Sequence, residues 1–445
     1  MSELISLGIS HKTAAVEVRE RVALDEHEAE RLLLDLTALD EVHEAVAIST
    51  CNRTEFYLVT PDPVQAEADL LARLATRAGI RPTELAGVVY TPRNCDAARQ
   101  LYRVASGLES MIIGEAEVQG QVRRAYEIAL AAGTTGPLTN RLFRAALEAG
   151  KRVRTQTGIG RERVSVSTVA VELARQVVGD LSRRSVVVIG AGETSERTAR
   201  ALADQGVTTI FVANRHADRA RALAERFGGA VGELDELPAC LEDADIVVAS
   251  TSSPHPIVTA EELELVMCAR AGRPLMLIDI AVPRDIEPAC ADVEGVTLYD
   301  IDDLQAVVAR NLEVRASERA GAEEVVEEEI QRFARWMAQL DVMPTIAALR
   351  EHGAEIVDQV LAENSGRWES ASARDLARIE AVARAVMQRL LHEPTLRLKS
   401  ADDVGGHGRQ QLLRELFGLE EGLPPAERAP ASPAADNVRQ LKRRA

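Results

Sequence analysis

The stretch Ser185-Val186-Val187-Val188-Ile189-Gly190-Ala191-Gly192-Glu193-Thr194-Ser195 decides the fold of the middle of this chain. A run of β-branched apolar residues is typical of a buried strand. Glycines follow it at once, and a helix is predicted over residues 196–205. Such a strand, turn and helix begin a nucleotide-binding unit, because glycine lets the backbone approach a pyrophosphate at the helix N-terminus. Ser195 replaces the last glycine of that pattern, so the motif alone is weak evidence.

The segments around this stretch strengthen the prediction of a nucleotide-binding fold. Further strands are predicted at residues 209–213, 229–231, 246–249 and 275–278, and a helix at 164–178. Strands that alternate with helices predict a doubly wound, Rossmann-type parallel sheet. We expect the residues that follow the last two strands, 250–252 and 279–284, to line the cofactor cleft at the carboxyl ends of the strands.

The end of the second strand predicts which dinucleotide binds. Asn214 and Arg215 stand where an NAD enzyme would carry an acidic residue. An arginine there would pair with a 2′-phosphate, so the sequence favours NADPH as the cofactor. The predicted cofactor-binding residues are Gly190, Ala191, Gly192, Glu193, Thr194, Ser195, Asn214 and Arg215.

A cysteine in the N-terminal region is placed as a nucleophile could be. The segment Ser49-Thr50-Cys51-Asn52-Arg53-Thr54-Glu55 lies between two predicted strands, 45–48 and 56–59. A free thiol has a pKa of about 8.5, so little thiolate forms at neutral pH unless the site stabilises it. Arg53 is a nearby cation. The alternative is a small buried cysteine beside a surface salt bridge between Arg53 and Glu55.

Length and composition set limits on the class of protein. A chain of 445 residues is too long for one core, so two or three domains are expected. No apolar run is long enough to span a membrane, and no signal peptide is recognisable. Five cysteines without paired spacing favour a reducing compartment and argue against a disulfide framework or a zinc site. We therefore expect a cytoplasmic protein without a metal site.

The distribution of charge leaves room for a nucleic-acid partner. The formal net charge is −18, but basic residues prevail between residues 120 and 163. A basic face can bind phosphates on an acidic protein, because salt screens charges beyond about 10 Å. The alternative is an ordinary set of arginines on helix surfaces. The basic residues of the segment are Arg123, Arg124, Arg141, Arg144, Lys151, Arg152, Arg154, Arg161 and Arg163.

Five segments, in this order along the chain, resemble glutamyl-tRNA reductase. They are Leu7-Gly8-Ile9-Ser10-His11-Lys12-Thr13-Ala14, the Cys51 segment, residues 105–110 with Gly114-Glu115, residues 188–193 and residues 278–285. The resemblance covers about residues 4 to 420. It implies a multidomain α/β protein: an N-terminal α+β catalytic domain that recognises glutamyl-tRNA (1–160), a Rossmann-type doubly wound NADP-binding domain (161–300), and a long spinal helix with an all-α C-terminal dimerisation domain (301–421). We expect residues 422–445 to form a disordered tail.

The resemblance also implies a reaction and a set of site residues. It implies NADPH-dependent reduction of glutamyl-tRNA(Glu) to glutamate-1-semialdehyde through a Cys51 thioester, the first step of the C5 route to 5-aminolevulinate and tetrapyrroles. A homodimer is expected, with product transfer to glutamate-1-semialdehyde aminomutase. The substrate-binding residues implied are Thr50, Asn52, Arg53, Ser110, Glu115, Ala116, Glu117 and Gln121. Arg53 suits the substrate carboxylate, and Glu115 or Glu117 suits its α-ammonium group.

Two positions depart from the family pattern. Glu117 stands where the family more often has Gln, which adds a negative charge that must be satisfied. Gln100 stands where the family usually has His, so no proton shuttle is expected there. His11 is the remaining candidate for an acid/base role in this region. The alternative is that His11 has only a structural role. Two other functions stay open: a thioester-forming reductase, like an aldehyde dehydrogenase, that acts on a non-tRNA acyl donor, and a non-catalytic protein that binds tRNA or nucleotide.

The C-terminal pattern leads to an expectation about geometry. One helix is predicted from residue 301 to just before Pro344, followed by helices at 345–362 and 373–391 and a last one that includes Leu412 and Phe417. Val326, Ile330, Phe333, Met337 and Leu340 form a heptad face, which predicts a partner helix. Since tRNA entry and hydride transfer need different cleft widths, we expect Cys51 and the nucleotide loop to lie far apart without substrate.

Overall fold

The computed structural model describes residues 2–115, 117–159, 165–207, 209–213, 217–227, 229–232, 234–304, 316–368, 371–399 and 403–419. The chain forms two compact units, residues 1–330 and 331–445. Within the described ranges, no helix is both long and apolar enough to cross a membrane.

The N-terminal region is built on a small antiparallel sheet. Its strands are β1 (Glu3–Ser10), β2 (Glu44–Thr50) and β3 (Arg53–Thr60), with β3 in the middle and antiparallel to both neighbours. Strands β1 and β2 are therefore parallel to each other, and the crossover between them carries α1 (Val16–Val22) and α2 (Glu26–Thr37). This is a split βαβ arrangement, and it agrees with the α+β fold expected for this region. Outside these strands, Tyr90 makes an isolated antiparallel bridge with Gly8 of β1.

Further helices in the described part of this region pack with the sheet. They are α3 (Pro63–Ala78), α4 (Pro82–Ala86), α5 (Cys95–Ala105), α6 (Glu117–Ala132) and α7 (Pro137–Gln156). The Phe143 ring on α7 stacks on Tyr126 of α6 at 5.6 Å and meets the edge of Tyr57 of β3 at 5.5 Å. These aromatic contacts fix both helices against the sheet.

The middle of the chain has the predicted parallel sheet. Six parallel strands run in the order β6-β5-β4-β7-β8-β9. The strand and helix predictions are confirmed to within a few residues, whereas β9 was not predicted. The elements are α8 (Val166–Val178), β4 (Ser185–Ile189), α9 (Glu193–Asp204), β5 (Thr209–Ala213), α10 (Ala217–Phe227), β6 (Ala230–Gly232), α11 (Leu237–Asp243), β7 (Ile246–Ala249), α12 (Ala260–Ala269), β8 (Leu275–Asp279) and β9 (Val296–Tyr299).

One face of this sheet shares its core with the N-terminal region. Val188, Val248 and Ile278 belong to the same buried cluster as Val16 and Met111. Cys51 and Ala191 both pack against that cluster. The thiol and the nucleotide loop therefore border one shared apolar core. The expected wide separation between the two stays a prediction. Apolar residues in α1 and in the loop before α6 favour contact, because burying them removes apolar surface from water.

The C-terminal region is helical, as predicted, but its elements are longer. Its described helices are α13 (Ala316–Glu363), α14 (Ala373–Lys399) and α15 (Asp403–Leu416). The predicted helix end before Pro344 is wrong, because α13 continues through this proline. A proline inside a helix costs about 3 kcal/mol. Here Val342 and Ile346 on either side of it are buried with Leu398, and this packing keeps the helix continuous.

The first three residues of the predicted heptad face are buried without a partner chain. Val326 and Ile330 are both buried in the single chain, as is Phe333. These positions therefore do not depend on a partner helix. The predicted helical segment 305–315 lies outside the described residues.

Candidate functional site

Cys51 occupies the tip of a hairpin. Strands β2 and β3 pair up to Thr50 and Arg53, which leaves Cys51 and Asn52 as a two-residue turn. The Asn52 amide donates to the Thr50 hydroxyl (3.2 Å), and the Asn52 carbonyl accepts from the His11 amide (2.9 Å). The turn is thus tied to its own strand and to the end of β1, which limits the positions that the thiol can take.

Arg53 and Glu55 form an ion pair, as the alternative interpretation of this segment predicted, but the pair is buried rather than on the surface. Their side chains are 2% and 0% exposed, and Arg53 Nη1 donates to Glu55 Oε1 at 2.7 Å. Glu55 also accepts from the Tyr57 hydroxyl (2.6 Å), the Tyr90 hydroxyl and Gln100 Nε2 (3.0 Å). Four donors on one carboxylate offset much of the cost of burying it.

Gln100 therefore has a structural role that a neutral histidine could also fill. It donates a hydrogen bond to Glu55 and does not need to titrate. His11 is not a ready proton donor either, since burial, Arg53, Lys12 and Arg19 lower its pKa to about 4. Its ring is therefore neutral at neutral pH.

The surroundings of Cys51 oppose thiolate formation. Burial, together with Glu115 and Glu117, raises the pKa of the Cys51 thiol to about 12, and Arg19 opposes this rise. The cation that favours the thiolate is thus Arg19 of α1, not Arg53 as the sequence indicated. A bound substrate that neutralised these carboxylates would lower the pKa of the thiol.

Arg19 links the cysteine loop to the segment that follows the parallel sheet. It is buried, donates from Nη1 to the Cys51 carbonyl (2.5 Å) and from Nε to the Ala14 carbonyl (3.2 Å), and forms an ion pair with Asp302. The other carboxylate oxygen of Asp302 accepts from the Val16 amide at 3.1 Å. Sequence patterns gave no signal for this link, because its residues are 283 positions apart.

Two glycines shape the loop that carries Ser110 and Glu115. Gly107 and Gly114 have φ of +75° and +85°, and the Gly114 amide donates to the Gly107 carbonyl at 3.0 Å. A Cβ on Gly114 would lie 2.2 Å from the Ile159 carbonyl oxygen, so no larger residue fits there. Ser110 and Glu115 are buried as a result, at 5% and 7% exposure.

The extra carboxylate of Glu117 has a partner that the sequence analysis missed. Glu117 forms an ion pair with Arg197 on α9, the helix that follows the glycine-rich turn. Burial raises the pKa of Glu115 to about 7, with Glu117 as the next cause. Gln121 lies one turn further along α6 with its side chain exposed, and Ala116 lies outside the described residues.

The glycine-rich turn has the geometry that a dinucleotide needs. Gly190 has φ of +117°, and a Cβ there would meet the Ser195 hydroxyl at 2.7 Å. Gly192 precedes α9 without a side-chain cap, and a Cβ there would meet open space. The N-terminal amides of α9 are thus available to a pyrophosphate. Asn214 and Arg215 lie outside the described residues.

Ser195 has a structural reason to replace glycine. It is fully buried, and its hydroxyl lies 2.8 Å from the Ser250 hydroxyl at the end of β7. The Thr194 carbonyl accepts from Ser167 of α8 at 3.2 Å, whereas the Glu193 side chain is exposed and pairs with Arg197. Ser195 therefore joins the turn to the next strand end.

Buried carboxylates hold the loop after β8. Asp285 accepts from the amide and hydroxyl of Thr251, and Asp279 accepts from the Ala281 and Ile286 amides at 3.0 and 2.8 Å. Burial raises the pKa of Asp279 to about 7 and that of Asp285 to about 6. Next to this loop, Arg284 pairs with Glu17 and Glu20 of α1.

Part of the predicted basic face is neutralised within the chain. Arg124 pairs with Glu26, and Arg152 pairs with Glu328 and Glu329 of α13. Burial and the neighbouring Arg123 lower the pKa of Arg154. Arg161 and Arg163 lie outside the described residues.

Comparison with known protein families matches three segments. Residues 7–157 match the N-terminal domain of glutamyl-tRNA(Glu) reductase, 172–307 match shikimate/quinate 5-dehydrogenase, and 321–419 match the dimerisation domain of glutamyl-tRNA(Glu) reductase. Cys51, Ser110, Glu115 and Glu117 fall in the first segment, and the glycine-rich turn falls in the second.

Similar proteins match over nearly the whole chain. A glutamyl-tRNA reductase of Pelotomaculum thermopropionicum is 42% identical over 441 residues, 98% of both chains. One from Trichlorobacter lovleyi is 43% identical over 94% of this chain and 97% of its own. The solved structure of glutamyl-tRNA reductase from Methanopyrus kandleri is 32% identical, covers 94% of this chain and 99% of its own, and superposes with a TM-score of 0.52.

Proposed function

The chain belongs to the glutamyl-tRNA reductase family, and from this premise we propose that it reduces glutamyl-tRNA(Glu) to glutamate-1-semialdehyde with NADPH. This is the first step of the C5 route to 5-aminolevulinate and tetrapyrroles. The observation that carries the proposal is a cysteine fixed at a hairpin tip, beside buried carboxylates, on the same apolar core as a dinucleotide-binding turn. A non-catalytic binding protein leaves the fixed cysteine unexplained. A reductase of a non-tRNA acyl donor would share these features, but the similarity to glutamyl-tRNA reductases favours the tRNA ester as substrate.

Cys51 is the proposed nucleophile. Its sulfur attacks the ester carbonyl carbon of the glutamyl group, and the bond to the ribose oxygen of the tRNA breaks. The tRNA leaves with the proton on its hydroxyl, and the glutamyl group stays on the enzyme as a thioester. Bound NADPH supplies the hydride that reduces this thioester. The C–S bond then breaks, which releases the aldehyde and leaves a Cys51 thiolate that takes up a proton from solvent.

The pocket residues suit a glutamyl group. A guanidinium has five N–H donors, and in the described part of the chain the hydrogen bonds of Arg53 use two of them, to Glu55 and the Glu109 carbonyl. The others suit the substrate carboxylate. Thr50, Asn52 and Ser110 supply neutral hydrogen-bonding groups around it, with Gln121 at the rim. Glu115 and Glu117, with Ala116 between them, face the α-ammonium group.

The cofactor proposal rests on two features. The uncapped start of α9 suits the pyrophosphate, through the turn formed by Gly190, Ala191, Gly192, Glu193 and Thr194. Asn214 and Arg215 follow β5 in sequence, where a cation would bind the 2′-phosphate of NADPH. The domain limits 1–160, 161–300 and 301–421 assign catalysis, nucleotide binding and dimerisation to successive regions. Product transfer to an aminomutase is part of the same proposal.

The test is cofactor oxidation by the purified protein. We expect oxidation of NADPH with glutamyl-tRNA(Glu), none with free glutamate, and at least about tenfold slower turnover with NADH, because a charged hydrogen bond to phosphate is lost. Equal turnover with a non-tRNA acyl donor would instead support the aldehyde dehydrogenase-like alternative. A protein that binds glutamyl-tRNA without oxidising either cofactor would support the non-catalytic one.

A homodimer is proposed through an apolar stripe on α14. Val382, Val386 and Leu390 recur every four residues and are 63%, 53% and 70% exposed in the single chain. Such a stripe on one helix face is typical of a buried interface. It lies in the segment that matches the dimerisation domain.

Leu390→Asp should convert the dimer to a monomer at micromolar concentration. A carboxylate in the middle of an apolar interface loses its hydration without gaining a partner, which costs several kcal/mol in each subunit. Light scattering after size-exclusion chromatography measures the mass. Leu265→Asp is the control, because Leu265 is equally exposed (71%) on α12. If both variants kept the mass of the dimer, this stripe would not be the interface.

A further inference from the structure

Both carboxylates of the glutamate pocket meet elements of the nucleotide-binding region. Glu117 pairs with Arg197 on α9, and the Val166 amide at the start of α8 donates to Glu115. Glu115 is 7% exposed, and the Glu117 side chain is 16% exposed. We call Glu115, Glu117 and Arg197 the wall of the pocket. This wall therefore includes a residue from the nucleotide-binding region.

The charges in this wall do not cancel. Glu115 and Glu117 bring two carboxylates, and Arg197 brings one guanidinium, which it also extends to the exposed Glu193. Arg53 is the other nearby cation, but its charge is matched by Glu55. When both carboxylates are ionised, the wall therefore retains the equivalent of one unmatched negative charge.

We propose that Arg197 is a positioning residue that sets the charge of the substrate pocket: by neutralising Glu117 it leaves one negative charge, which selects a single primary ammonium group. The inference rests on the proposed function, since it takes the glutamyl α-ammonium as the ligand. Because Arg197 lies on the helix that follows the glycine-rich turn, this subsite is complete when the nucleotide-binding region is packed against the catalytic region.

The proton affinities in the wall agree with this role. Burial and Glu117 raise the pKa of Glu115 to about 7, whereas the Val166 amide, Arg197 and Arg53 lower it. Burial likewise raises the pKa of Glu117, and Arg197 is the main cause that lowers it. Without Arg197 the pKa values of both carboxylates would rise, so protonation would begin to neutralise the ammonium site at a higher pH.

Four proteins test the proposal: wild type, Glu117→Gln, Arg197→Leu and the double variant. Glu117→Gln leaves Glu115 facing Arg197, so the wall is neutral, and we expect KM for glutamyl-tRNA to rise about tenfold or more. The double variant restores one negative charge, and its KM should return to within about threefold of wild type. Steady-state NADPH oxidation at several pH values gives KM and kcat separately.

Arg197→Leu has its own signature in the pH profile. Removing a cation that lowers both pKa values should move the acidic limb of kcat/KM upward by about one pH unit. Arg197→Lys keeps the charge and should keep the wild-type profile. Arg200→Leu is the control, because Arg200 pairs with Glu196 within α9. It should leave KM and the profile unchanged.

Two results would overturn the role of Arg197: a double variant no better than Glu117→Gln, or the same pH profile in Arg197→Leu and wild type. An Arg197→Lys protein that behaves like Arg197→Leu would also reject the charge argument, even if Arg197→Leu folds poorly. A wild-type protein that does not reduce glutamyl-tRNA would instead reject the proposed function. The two failures are therefore distinguishable.

Discussion

Replacing Cys51 by serine should reduce turnover of glutamyl-tRNA on the order of 10³-fold or more, because no thioester can form. The hairpin tip that holds residue 51 is fixed by backbone contacts of Asn52 and His11, so the substitution should leave the fold unchanged. In the absence of NADPH, labelled glutamate should stay bound to the wild-type protein after acid precipitation and be released by hydroxylamine. The serine variant should retain none.

Other cysteines provide the matched controls. Cys95 is half-buried, and Cys268 is exposed on α12. Serine at either position should leave most of the turnover and the full amount of bound glutamate. If Cys51→Ser retained as much acid-stable glutamate as wild type, the nucleophile would be another residue.

Glu55→Gln should strongly destabilise the N-terminal region. The substitution leaves the Arg53 guanidinium buried without its counter-ion, and a broken buried pair typically costs about 3–5 kcal/mol. For a region of this size that corresponds to a fall in melting temperature of about 10 °C. Differential scanning calorimetry measures this melting temperature. The transition of the C-terminal helices should stay unchanged and serves as the internal control.

The variant Tyr57→Phe distinguishes the contribution of the Glu55 charge from that of the hydrogen bonds that Glu55 accepts. This variant removes one donor to Glu55 and keeps the ion pair, so about 1 kcal/mol should be lost. Gln100→His keeps a donor to Glu55 and should change the melting temperature little. A Glu55→Gln protein as stable as Tyr57→Phe would mean that Arg53 is solvated or paired elsewhere.

The parallel sheet was predictable because its signals are local. Each strand is a short apolar run, and the glycines of the turn precede a helix in the sequence itself, so β4, β5 and β7 are confirmed at the predicted residues. Strand β9 was missed because Val296–Tyr299 is only partly buried and carries a weak apolar pattern. The helix end predicted before Pro344 was wrong because the local sequence signal is strong there but tertiary packing overrides it, so the helix continues through the proline.

Residues of the candidate site can be proposed from the sequence, but their electrostatic partners cannot. The Cys51 segment and the loop to Glu115 stand out in the sequence. Arg19 and Arg197, in contrast, look like ordinary helix-surface arginines. Their roles follow from distant residues that folding brings near them, Asp302 and Glu117, and no pattern along the chain encodes those distances.

The contact of Arg19 with Asp302 has a consequence for how the protein can be taken apart. A fragment that stops at residue 160 would lose the carboxylate that pairs with Arg19 and accepts from the Val16 amide. A chimera that exchanged residues 172–307, the segment that matches shikimate/quinate 5-dehydrogenase, would have to bring a matching aspartate at position 302. The predicted domain limits are therefore poor places to cut the chain, because Arg19, which binds the Cys51 loop, pairs with a residue that follows the parallel sheet in the sequence.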